Sequence, residues 1–173
     1  MFLNSSIRTI SILFVFCIIL TILLAYLLNK KKRKQLNNVF IIILILLLSW
    51  MIGAIVQIIC VNKWNINPIY IDYFNYIPTC FLPVALLFLA LVFSQTKIKF
   101  KKRYCLYFVL PIVSLIILWT NDFHHLFYKV YSTNYSEVVY GPYIYTYNIH
   151  IFTMYYLFSY FTKIHYKKFR ILL

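Results

Sequence analysis

Long apolar stretches punctuated by short basic clusters constrain this chain more than any other feature. Fourteen of its seventeen Lys and Arg residues lie in three runs, at 30–34, 97–103 and 163–170, each between or after an apolar stretch. All three acidic residues, Asp72, Asp122 and Glu137, fall in or next to the other connections. That alternation marks helices threaded through a bilayer, with the basic connections on the cytoplasmic side. The hydrophobic share, 64%, exceeds the roughly 45–50% of soluble domains and agrees.

The predicted fold is an all-α polytopic transmembrane helix bundle of about five spans, at 8–29, 38–61, 69–94, 104–120 and 143–164. The N-terminus lies outside, the C-terminus inside, and 121–142 form an outer loop. Each stretch approaches the ~20 residues that a hydrocarbon core of ~30 Å requires. A cleaved signal peptide fits the first stretch poorly, because its charge follows the apolar run and no small-residue cleavage site appears. Pro78 and Pro83 predict a bent third span, and Pro111 sits in the short fourth. Trp64, Trp119 and the Tyr143, Tyr145, Tyr147 series are placed at the outer interface.

Composition also excludes function classes. The formal charge of +14 is explained by the positive-inside bias and by anionic lipid, so nucleic acid is not a partner. The four cysteines, Cys17, Cys60, Cys80 and Cys105, show no CxxC or Cys/His ligand spacing and read as buried small hydrophobes. His124 and His125 lie near Asp122, but adjacent histidines diverge on a helix and no further ligand is close, so no metal is expected. Two glycines cannot build a phosphate loop or a GxSxG elbow, and a single carboxylate at membrane depth excludes a two-aspartate protease. A Cys60/His150 nucleophile pair is the only catalytic arrangement available, and it lacks an orienting group. The chain is read as no enzyme, without cofactor. Sequons at Asn4 and Asn134 carry little specificity.

Polar residues inside the spans are the candidate binding groups. Asp72, Asn75 and Thr79 recur at i, i+3 and i+7 and share one face of the third span. Ser49, Gly53 and Gln57 share a face of the second, a small-residue pattern that permits close helix approach. Asn148 and His150 lie at a similar outer depth on the fifth. Convergence of Gln57, Asp72, Asn75, Asn148 and His150 would make a polar cavity open to the outside. Asp72 as a mere interfacial loop residue is the plainer alternative.

Three blocks carry a family resemblance. The segment from Tyr76-Ile77-Pro78 through Leu82-Pro83-Val84 to Leu91 resembles the third span of the seven-transmembrane N-terminal sensor region of bacterial histidine kinases. Thr120-Asn121-Asp122-Phe123-His124-His125-Leu126-Phe127 is similar to that family's TN-x-x-H-x-L-F motif outside the fourth span. Tyr140-Gly141-Pro142 is similar to its marker before an aromatic fifth helix. The resemblance implies signal reception at the cell membrane, with Asn121, His124, Gly141 and Pro142 at motif positions. Asn121, Gly141 and Pro142 also have a structural reading, as helix cap and turn.

The family's module has seven spans and feeds cytoplasmic kinase domains, whereas this sequence shows five and no kinase motif. The expectation is therefore a truncated sensor module lacking its catalytic output, in contact with the lipid bilayer and with a cytoplasmic kinase or a second copy as candidate partner. An accessory subunit of a transporter or other membrane complex, docking through the Ser49/Gly53/Gln57 face, is the alternative.

Overall fold

The computed structural model describes residues 2–31, 34–64, 67–95, 102–132 and 137–171. Most of the basic run at 97–103 and the sequon at Asn134 lie outside them, as do the side chains of Asn4 and of the basic residues beyond Lys163.

Among the described residues, six α-helices and a small hairpin follow one another. They are α1 (Phe2–Leu28), α2 (Gln35–Ile59) prolonged by a π-helical turn (Cys60–Trp64), α3 (Ile69–Gln95), a 3-10 turn (Lys102–Cys105) leading into α4 (Leu106–Trp119), the one-turn α5 (Asn121–His124), β1 (Tyr128–Val130), β2 (Val139–Tyr140) and α6 (Tyr143–Ile171). The fold is all-α, as expected, and the chain is a membrane protein. By length and composition Ser6–Leu28, Gln35–Trp64 and Ile69–Phe93 can cross a bilayer. α4 is apolar but has 14 residues, about 21 Å of helix.

α3 is the hub, packing against α2, α4 and α6, while α1 leans on α2. Its start is fixed locally: the Asn67 side chain accepts the Ile69 N–H at 3.2 Å across Pro68, a polar cap followed by a proline that has no N–H to lose. The helix runs through Pro78 and Pro83 without interruption. The Thr79 hydroxyl donates to the carbonyls of Asn75 and Tyr76 at 3.3 and 3.0 Å in the stretch where the prolines remove donors.

Two apolar clusters are stacked along α3. Tyr73 and Cys80 join Leu115, Leu118, Phe127, Tyr128 and Tyr147 at one end, and Val84, Leu87, Phe88, Leu91 and Val92 join Met154 at the other. In lipid such packing rests on close dispersion contact more than on removal of water.

Several expectations need correction. Helix continues past 61, the expected end of the second span, since a π-helical turn reaches Trp64 and the Asn62 amide donates to the Ile58 carbonyl. The outer loop at 121–142 contains α5 and an antiparallel hairpin pairing Tyr128 with Tyr140 and Val130 with Val139. Of the expected Tyr belt only Tyr145 is exposed; Tyr147 is buried, and the Tyr143 hydroxyl meets Ser114 Oγ at 3.0 Å. Cys60 and Cys80 are buried, but Cys105 is exposed.

Candidate functional site

The two-turn polar face of α3 lines a cavity at the end of the bundle where the hairpin lies. Asp72, Asn75, Tyr76 and Thr79 line a cavity of about 360 Å³ together with Gln57 of α2 and Tyr147 of α6. A neighbouring cavity of about 480 Å³ shares Trp50, Ala54, Gln57, Asp72 and Tyr76 and is closed by Tyr128, Tyr131 and Tyr140 from the hairpin. Volumes of this size suit small organic ligands.

A hydroxyl chain leads into the carboxylate. Tyr128 donates to Asp72 Oδ2 at 3.0 Å, so its oxygen accepts from the Tyr76 hydroxyl at 2.8 Å. Burial pushes the Tyr128 phenol well above its ordinary range, helped by Tyr76 and the Asp72 charge. It therefore keeps its proton and remains a donor. Asp72 belongs to the first turn of α3, so the reading of it as a loop residue falls.

Gln57 and Asn75 also meet, with Asn75 Nδ2 donating to Gln57 Oε1 at 3.4 Å. The Asn75 carboxamide lies over Gly53, with Oδ1 in the space a Cβ would fill. The small-residue face of α2 is thus occupied by α3 of the same chain. That corrects the accessory-subunit reading, which needed this face free for a partner.

The other two candidates on α6 do not join. Asn148 is exposed, one residue round the helix from the inward Tyr147. His150 is buried, lines neither cavity, and neither ring nitrogen has a hydrogen-bond partner. The spacing of polar residues placed them at the right depth but on the wrong azimuth.

The motif positions outside the spans build the hairpin's base. Asn121, buried, accepts the backbone N–H groups of Phe127 and Tyr128 on Oδ1 at 2.9 and 3.0 Å and donates from Nδ2 to the Tyr128 carbonyl at 3.0 Å. His124 Nδ1 accepts the Leu126 N–H at 3.1 Å, and Nε2 lies 3.0 Å from Thr120 Oγ1. Because the Thr120 hydroxyl already donates to the Ile116 carbonyl, the histidine is the Nε2–H tautomer with both nitrogens engaged. His125 turns the chain with φ of 51°. Gly141 brings the second strand against the first, its N–H donating to the Phe127 carbonyl at 2.8 Å. A Cβ there would strike the Leu126 carbonyl. Pro142 is exposed in the turn before α6. Asn121, His124 and Gly141 thus brace the hairpin whose Tyr128 reaches Asp72.

Sequence reasoning missed Tyr76 and Tyr128. Tyr76 follows Asp72 by four residues, so one face of a helix already carried it. Tyr128 lies 56 residues away and gave no local signal.

A family model described as the N-terminal 7TM region of histidine kinase matches residues 12–170. No curated protein and no solved structure matches the chain.

Proposed function

The chain belongs to the family of N-terminal 7TM regions of histidine kinases, and on that premise we propose that it is the signal-receiving part of a histidine-kinase pathway, with the paired cavities around Asp72 as its receiving site. It sits in the cell membrane as a multi-pass protein, with five spans and its N-terminus outside. The module itself performs no chemistry. The observation that carries this reading is the Tyr76, Tyr128, Asp72 chain, which ties the hairpin to the hub helix α3 across a cavity.

The mechanism follows from that tie. A ligand seated between the hairpin and α3 competes for Asp72 and Tyr128 and alters how the hairpin bears on α3. Since α3 packs against α2, α4 and α6, a change at its outer end reaches the basic end of the bundle. The response is limited to the difference in ligand affinity between the two arrangements. A cytoplasmic kinase reads that end, directly or through a second copy of the chain.

The test is histidine autophosphorylation from labelled ATP in membranes of the native host. Removing the chain, or filling the cavity by Ala54→Trp, changes phosphorylation of a membrane-associated histidine kinase. Unaltered phosphorylation of every such kinase after removal overturns the proposal.

A further inference from the structure

The larger cavity has one charged group in its lining, and that group has no counter-charge. Among the described lining residues Asp72 is the only ionisable acid or base apart from the tyrosine phenols. It forms no ion pair with any described residue; its hydrogen-bond partners are the neutral Tyr128 hydroxyl and Gln57 side chain. Within a chain of formal charge +14 this is unexpected, because cations are abundant elsewhere. Lys63 and Lys129 each adjoin a lining residue in sequence, yet neither lines the cavity.

The remaining walls suit a cation as well. Tyr76, Tyr128, Tyr131 and Tyr140 line the same cavity as Asp72, together with Trp50 of α2. Aromatic faces attract an ammonium or guanidinium within about 6 Å of the ring centroid. Gln57 contributes a carboxamide, and its oxygen is an acceptor for ligand N–H groups. An anionic ligand would meet an uncompensated carboxylate, and a neutral one would leave that carboxylate half-buried without a cation.

Resting on the reading of this cavity as the receiving site, we propose that its ligand is a small organic cation, an amine or guanidine carrying an apolar body, bound by the Asp72 carboxylate with the tyrosine faces around its charged head. Tyr128 keeps the carboxylate oriented through its own hydrogen bond. The cavity of about 480 Å³ admits a ligand of modest size, not a folded partner.

The experiment uses the whole chain purified in lipid nanodiscs and reads its thermal unfolding midpoint against three probes with one common body: phenethylamine, 2-phenylethanol and 3-phenylpropionate. The amine raises the midpoint saturably, with a half-effect concentration at least about tenfold below that of the alcohol, as desolvated charge pairing and cation–π contact imply. The carboxylate probe does nothing. Asp72→Asn removes the preference for the amine and leaves the alcohol's weak effect in place, and Tyr128→Phe weakens amine binding several-fold by loosening the carboxylate. Equal stabilisation by amine and alcohol, stabilisation by the carboxylate probe, or no stabilisation by any probe overturns the inference. So does an unchanged amine preference in folded Asp72→Asn. The comparison of probes on the unaltered chain stands even where that variant does not fold. The sensor reading is judged separately by kinase phosphorylation, which does not depend on these probes.

Discussion

The Asn75 carboxamide of α3 lies directly over Gly53 of α2, with Oδ1 where the first atom of any side chain at position 53 would sit. One of the two Gly53 α-hydrogens therefore points at that oxygen, a weak C–H···O contact of the sort common between membrane helices. No stronger donor reaches Oδ1, and Nδ2 is engaged by Gln57. Close approach of α2 and α3, and with it the shape of the cavity beside them, depends on the missing side chain.

Gly53→Ala consequently destabilises the bundle. The methyl must displace a carboxamide that is 6% exposed and bonded to Gln57, and overpacking of this kind costs about 1–3 kcal/mol. The unfolding midpoint in nanodiscs falls. The double variant Gly53→Ala/Asn75→Ala recovers most of the loss, because the methyl then occupies space the carboxamide has vacated. Equal loss in the single and double variants would show that the two residues do not share this contact.

Asn121 gives a graded series. Asn121→Ala strands the N–H groups of Phe127 and Tyr128 and the Tyr128 carbonyl, each worth about 1–3 kcal/mol when buried without a partner. Asn121→Asp keeps the acceptor for both N–H groups and loses only the donor to the carbonyl, so it lies between wild type and Ala. Limited proteolysis of the 125–141 segment, alongside the unfolding midpoint, reads the order. Wild-type protease resistance in Asn121→Ala would mean that the hairpin does not hang on this side chain.

Gly141→Ala acts on the same base from the other strand. Its Cβ meets the Leu126 carbonyl, and relief requires breaking the Gly141 to Phe127 and Tyr143 to Leu126 backbone bonds, 2.8 and 3.0 Å. Loss of about 2 kcal/mol is expected for strain of this size together with weakened hydrogen bonds. Since Asn121 and Gly141 support one structure, Asn121→Ala/Gly141→Ala costs less than the sum of the singles. Strict additivity in the unfolding midpoints would separate the two roles.

How much of this was legible beforehand depended on how local each cause was. The apolar runs, the polar face of α3 and the small-residue face of α2 came from residues three or four apart, and helix geometry brings such residues together whatever the rest does. The hairpin was not legible because its strands, of three and two residues, are too short to show alternation and are held by Asn121 from outside. Asn148 and His150 failed for a different reason: depth along α6 can be read from spacing, but rotation about its axis is set by the packing of Tyr147 and Met154 against α3. Asp72 could be picked out by its charge, whereas its partner Tyr128 is one of seventeen tyrosines.

The orientation proposed from the basic runs can be tested at Cys105, which is exposed in the structure and stands just after the run at 97–103. With Cys17, Cys60 and Cys80 replaced by Ala, Cys105 is the sole thiol. The positive-inside bias puts it on the cytoplasmic side, so a membrane-impermeant maleimide labels it only after cells are permeabilised. A cysteine introduced by Ser132→Cys, in the cavity lining, labels in intact cells, because the proposed orientation sets Asp72 and the hairpin on the outer side. Labelling of Cys105 in intact cells would invert the topology and place the Asp72 cavity in the cytoplasm. The reverse pattern, with position 132 reacting first, sets the cavity where an external cation reaches it without crossing lipid.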